Sequence, residues 1–197
     1  MKIVYVLVTI VVASLVLIFL NTTKEMQIDT LTFKHSTESY SFEYPSNLKV
    51  EEGAGKRHVV VMHLDSENKD NVISMEVKYS PDYMKELERK VKSFSTAGFQ
   101  ASFSVENINI GQYKVINAKY SDLGSVYIVP LESNESPSEY IFISTSKVTS
   151  KKLITDLIET LKVDADKMKI YTDSLKSEYT ERELRESVGG DALPGEF

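Results

Sequence analysis

Apolar residues follow three regimes along the chain. Ile3 to Leu20 is a run of 18 residues without charge, Pro or Gly. From about residue 31 to 163 apolar positions recur with strand or helix period, and from Asp164 they thin to one stripe among many charges.

As a helix the first run extends roughly 27 Å at about 1.5 Å per residue, close to the hydrocarbon thickness of a bilayer. A buried core helix apolar on every face would need a larger protein around it. A cleaved secretory signal would need small residues three and one before the cut, and Phe19 to Thr23 holds no such pair. Residues 1–20 are therefore expected to be an uncleaved transmembrane anchor, followed by a polar spacer at 21–30. Lys2 and the amino terminus put the only positive charge before the span, since Lys24 and Glu25 cancel after it. The expected topology is single-pass in the cell membrane, with the N-terminus cytoplasmic and the remainder extracytoplasmic.

Beyond the spacer, Tyr40, Phe42 and Tyr44 alternate with Ser41 and Glu43, a half-buried strand ended by Pro45. His58 to Leu64 and Val72 to Tyr79 read as paired strands joined by the polar stretch Asp65 to Asn71. Ser80, Pro81 and Asp82 then open a helix with Met84, Leu87, Val91 and Phe94 on one face, and Glu86 with Lys90 and Glu88 with Lys92 on the other. Ala97-Gly98 stops it. Phe103 to Ile110 and Tyr113 to Tyr120 flank Gly111-Gln112 as a hairpin, and shifts of inward parity near Glu106 and Val115 suggest bulges.

Strands at Val126 to Leu131 and Tyr140 to Thr145 follow, then a helix capped by Ser146 or Thr149 with Leu153, Ile154, Leu157, Ile158 and Leu161 on one face. Residues 31–163 thus predict an α+β domain, an antiparallel sheet layered with two amphipathic helices. In the acidic tail, 164–197, Met168, Tyr171, Leu175, Tyr179 and Leu184 favour a helix to about Ser187, and Gly189-Gly190-Asp191 onward a disordered end. A solvated tail is favoured there over a partner-binding segment.

Charge narrows the partners. The net charge is −6, with 17 Lys plus Arg against 20 Asp plus Glu in residues 21–163 and 5 against 9 in 164–197. Neither segment has a basic excess for phosphates, so nucleic acid is excluded as a partner. With no cysteine in the chain, the fold is held without disulfides and a lipid-modified signal is ruled out.

The motif Tyr40-Ser41-Phe42-Glu43-Tyr44-Pro45-Ser46-Asn47-Leu48-Lys49-Val50 resembles the opening of PsbP-like domains, the family named for an extrinsic subunit of photosystem II, with Leu48 where Trp is common. The order of elements over residues 31–163 is similar as well. The resemblance implies an antiparallel sheet between helical layers and a tendency to bind protein partners. It transfers no functional residue.

No constellation for chemistry outweighs a structural reading. On one strand His58 and His63 would point to opposite faces, and His35 lacks a near sequence partner, so zinc is disfavoured. Asp65, Glu67 and Asp70 lack the Gly and distal Glu of a calcium loop and read as a solvated tip. Ser93-Phe94-Ser95 and Ser144-Thr145-Ser146 read as helix-end and cap residues, since neither a nucleophile elbow nor a phosphate-binding glycine loop occurs.

Tyr40, Phe42 and Tyr44 are expected in the core before serving as a recognition stripe. The glycosylation patterns at Asn21 and Asn134 matter only in a eukaryotic source, whereas a bacterial one is expected. No catalytic, cofactor-binding or metal-ligating residue is therefore assigned. The expected function is a non-enzymatic, membrane-anchored accessory or protein-binding subunit, with a small-molecule sensor as the alternative and a hydrolase behind both. A hydrolase would require a Ser or carboxylate within hydrogen-bond reach of one of the three histidines in a cleft.

Overall fold

The computed structural model describes residues 29–54, 58–64, 71–96, 102–120, 124–131, 138–147 and 149–187. The expected anchor, most of the spacer, the Asp65–Asp70 loop, the Ala97-Gly98 stop, the Asn134 turn and the chain after residue 187 lie outside them. No helix among the described residues is long and apolar enough to cross a membrane.

Ten strands form two antiparallel sheets. The smaller contains β1 (Thr30–Lys34), β2 (Tyr40–Pro45) and β10 (Lys162–Val163) in the order β1-β2-β10. The larger runs β3-β4-β5-β9-β8-β7-β6, built from β3 (Lys49–Glu52), β4 (Val60–His63), β5 (Val72–Tyr79), β6 (Phe103–Ile110), β7 (Tyr113–Tyr120), β8 (Gly124–Pro130) and β9 (Glu139–Thr145). Three helices lie among the described residues: α1 (Tyr83–Thr96), α2 (Lys151–Glu159) and α3 (Ala165–Ser187). The described structure is α+β and antiparallel; α3 is the helix expected in the tail, but it is docked instead of solvated, with Met168, Tyr171 and Leu175 in the core.

The predicted pairing of β4 with β5 is present, with Val60 opposite Met75 and Met62 opposite Ile73. The bulges expected near Glu106 and Val115 are absent, because β6 and β7 pair one to one from Phe103↔Tyr120 to Ile110↔Tyr113. The parity shift has another cause. Val115, Ile116, Asn117 and Ala118 are all buried, so β7 is covered on both faces there and burial does not alternate. Gly124 starts β8 at φ +126°, and a Cβ there would lie 2.0 Å from the Thr145 carbonyl oxygen, so only glycine fits.

Each face of the larger sheet carries its own core. On one, Met62, Met75, Ile141 and Ile143 pack with Tyr40 and Phe42 of the smaller sheet, Ile154, Leu157 and Ile158 of α2, and Met168, Tyr171 and Leu175 of α3. On the other, Ile116, Ile128, Tyr140 and Phe142 meet Leu87 of α1. Tyr40 and Phe42 are core residues, as their period predicts.

Local chemistry differs from expectation at both helix starts. Asp82, rather than Ser80, caps α1, its Oδ1 accepting from the Met84 amide at 3.0 Å, while the Ser80 hydroxyl donates to the Asp82 carbonyl at 3.0 Å. Ser150 stands at the start of α2 without a side-chain cap bond, and Ser146 instead bonds Thr149 at 3.1 Å. Ser144 and Thr145 belong to β9, where the Thr145 hydroxyl bonds the Ser125 amide and carbonyl of β8, each at 3.1 Å.

Candidate functional site

The smaller sheet, the end of β3 and the first half of α3 converge on His35. Its side chain, which directly follows β1, is 1% exposed and lies between two aromatic rings, Tyr40 at 4.5 Å and Tyr171 at 5.4 Å. A buried imidazole must satisfy two nitrogens, and the neighbours determine its state. Nε2 lies 3.2 Å from the His58 carbonyl oxygen, which can only accept, so Nε2 carries the proton. Nδ1 must then accept, from the Thr37 hydroxyl at 2.7 Å, whose own oxygen accepts from the Ser39 hydroxyl at 2.6 Å. Neutral imidazole closes this relay. Burial is also the largest influence on His35 and holds its pKa below the ordinary imidazole value.

Glu52, at the end of β3, faces the same point. Its carboxylate accepts from the Ser36 hydroxyl and from the Ser36 amide at 3.0 Å, and lies 3.0 Å from His58 Nδ1 and 3.6 Å from His35 Nε2. Burial opposes its charge, but the bonds from Ser36 and the two imidazoles together outweigh that and keep its pKa below the usual carboxylate range.

The backbone here is under tension. Two non-glycine residues among those described have positive φ, Glu38 at 56° and His58 at 41°, and both belong to this cluster. Glu38 joins Lys34 at 2.7 Å and also Lys167 of α3. The bond from Lys167 leads these influences and takes the Glu38 pKa down to about 2.

His58 is the imidazole of the cluster that reaches solvent. With Thr37, Lys167, Ile170, Tyr171 and Ser174 it lines an open depression of ≈ 320 Å³. Ile170 is 73% exposed beside it. The Ser, His and Glu do not form a nucleophilic relay. Ser36 lies 3.3 Å from the same nitrogen, Nδ1, that faces Glu52, and its hydroxyl is donated to the carboxylate. Among the described residues no group of three or more His, Asp and Glu side chains is arranged to hold a metal ion.

One reading from the sequence is corrected here. His58 precedes β4 instead of lying in it, so strand parity does not govern the His58–His63 relation. His63 sits on β4, with Nε2 3.3 Å from Glu51. All three histidines have partners, and His35 reaches the His58 carbonyl across 23 residues of chain. The one signal available in the sequence is the polar run His35-Ser36-Thr37-Glu38-Ser39, which has no period.

No protein-family model matches the sequence, and no characterised protein matches it. Among solved structures, a cyanobacterial PsbP (CyanoP) from Synechocystis sp. PCC 6803 is 14% identical, with a TM-score of 0.43 over 72% of this chain and 96% of that one. A protein from Bacteroides thetaiotaomicron VPI-5482 is also 14% identical, with a TM-score of 0.37 over 68% of this chain and 48% of that one. The functional reading below rests on the chain's own residues.

Proposed function

We propose that this chain is an accessory domain that binds a protein partner and performs no reaction of its own, held at the cell membrane through residues 3–20 with the folded part outside. The observation that carries the reading is Ile170, a large apolar side chain 73% exposed at an open depression beside an oriented histidine. Apolar surface left at the edge of fixed polar groups suits contact with another macromolecule. The commitment of the Ser36 hydroxyl to Glu52 supports binding over hydrolysis. The openness of the depression favours a partner's side chain over a sequestered small molecule.

The test uses the full chain in its own membranes, with a photoreactive residue at position 170. One stoichiometric cross-linked product, missing when the same residue is placed at Lys162 on β10, is the expected result. No stoichiometric product, together with no co-purifying protein after gentle solubilisation, would remove the reading. Protease added to intact cells should digest residues 21–197, and their survival would overturn the topology.

A further inference from the structure

The depression beside His58 is selective in its chemistry. The ionised Glu52 can only accept, so the imidazole turns Nδ1–H toward it and keeps its lone pair on Nε2. Among the described residues no group bonds that nitrogen. Glu52 orients the ring through Nδ1, and His35 bonds the backbone carbonyl of the same residue, which stands at positive φ. His58 therefore offers a pre-oriented acceptor, the arrangement that loses least freedom on binding.

The surroundings exclude most occupants. The ammonium groups of Lys34 and Lys167 are both bonded to Glu38, and Glu52 stands beside them, so no unpaired positive charge is left to hold an anion. An alkyl group would cover Nε2 without bonding it and leave a polar atom desolvated. The rest of the lining includes Ile170 and the Tyr171 ring, in a volume that admits an aromatic ring.

We infer that the depression receives a phenol, the side chain of a partner's tyrosine, whose O–H donates to His58 Nε2 while its ring lies against Ile170 and Tyr171. This deepens the partner-binding reading and rests on it. The geometry that carries it is one oriented acceptor beside exposed apolar surface with no spare positive charge.

The probe is 4-methylphenol, titrated into the full chain in lipid nanodiscs and followed by NMR at the His58 ring and the Ile170 methyls. It should bind there at least about tenfold more tightly than 4-methylanisole, which keeps the ring but lacks the donor, as expected for one hydrogen bond. Ile170→Ser, at an exposed position that should leave the fold intact, should weaken it by a similar factor. Equal affinity for the two probes, or shifts located away from His58 and Ile170, would overturn the inference. Probe binding without a cross-linked partner would leave the phenol site standing and sink the accessory reading. A partner cross-linked at position 170 without phenol preference would do the reverse.

Discussion

Two polar clusters lie under helices in this molecule, and they solve burial in opposite ways. Beneath α1, Glu86 is 8% exposed and bonds Arg89 at 2.6 Å and Lys78 at 3.5 Å. Lys78 also meets Glu76 at 3.0 Å and lies 4.3 Å above the Phe142 ring. There charge is balanced by charge, from side chains on regular elements. Beneath α3, His35 is buried neutral within a relay of hydroxyls and one carbonyl, and two residues at positive φ hold that relay together. An ion network tolerates small shifts because Coulomb attraction is weakly directional, whereas a hydroxyl–imidazole relay fails when one angle changes. Strain collects where the requirement is directional, and the depression opens at the same place.

The largest blow to this contrast should come from His35→Ala. It removes the ring between Tyr40 and Tyr171 and strands the His58 carbonyl, so denaturant unfolding should show a loss of about 3 kcal/mol. Glu86→Ala should cost less, about 2 kcal/mol, because Lys78 keeps Glu76 and Arg89 is partly exposed and can turn to water. If Glu86 proved the costlier of the two, the ion network would be the fold's main polar tie.

Acid should separate the clusters next. The folded-state pKa of His35 lies below the unfolded value near 6.5, so the unfolded chain binds the proton first. Stability should hold above 6.5 and fall as pH drops below it, by at most about 1.4 kcal/mol per unit from this one proton, until the folded-state pKa is passed. His35→Gln should remove this component of the decline between 6.5 and 5, which stability curves at several pH values would show. Glu86→Gln should leave it in place. The smallest effect belongs to Lys167→Ala, which cuts the exposed tie from α3 to Glu38. Unfolding should shift least of the three, and less still at high salt.

The strands most legible in the sequence are those with one clear period and a turn of known chemistry. Val72 to Tyr79 alternates along its whole length, and Gly111, at φ +55°, marks the β6–β7 hairpin. β1, β3 and β10 were not read, because Thr30–Lys34 and Lys49–Glu52 are short and mostly polar and Lys162–Val163 is a two-residue pairing that β2 makes possible. Tyr40 and Phe42 were placed in the core correctly. The candidate site was barely legible. His35 reads as a surface residue between Lys34 and Ser36, and its burial comes from rings contributed by β2 and α3.

By itself the sequence determined the antiparallel α+β character, the apolar face of α2 and the helix to about Ser187, because periodicity follows from which side of each element is wet. It also contains the uncharged run at residues 3–20, on which the proposed membrane attachment rests. Tertiary structure alone decided that β7 is buried on both faces, that α3 docks Met168, Tyr171 and Leu175 into the core, and that His35, Glu52 and His58 meet. Those contacts join segments far apart in the chain, and the physical reason is the same in each case. Local period reports how an element faces water, while the directional bonds of a buried polar cluster depend on which distant backbone arrives to complete it.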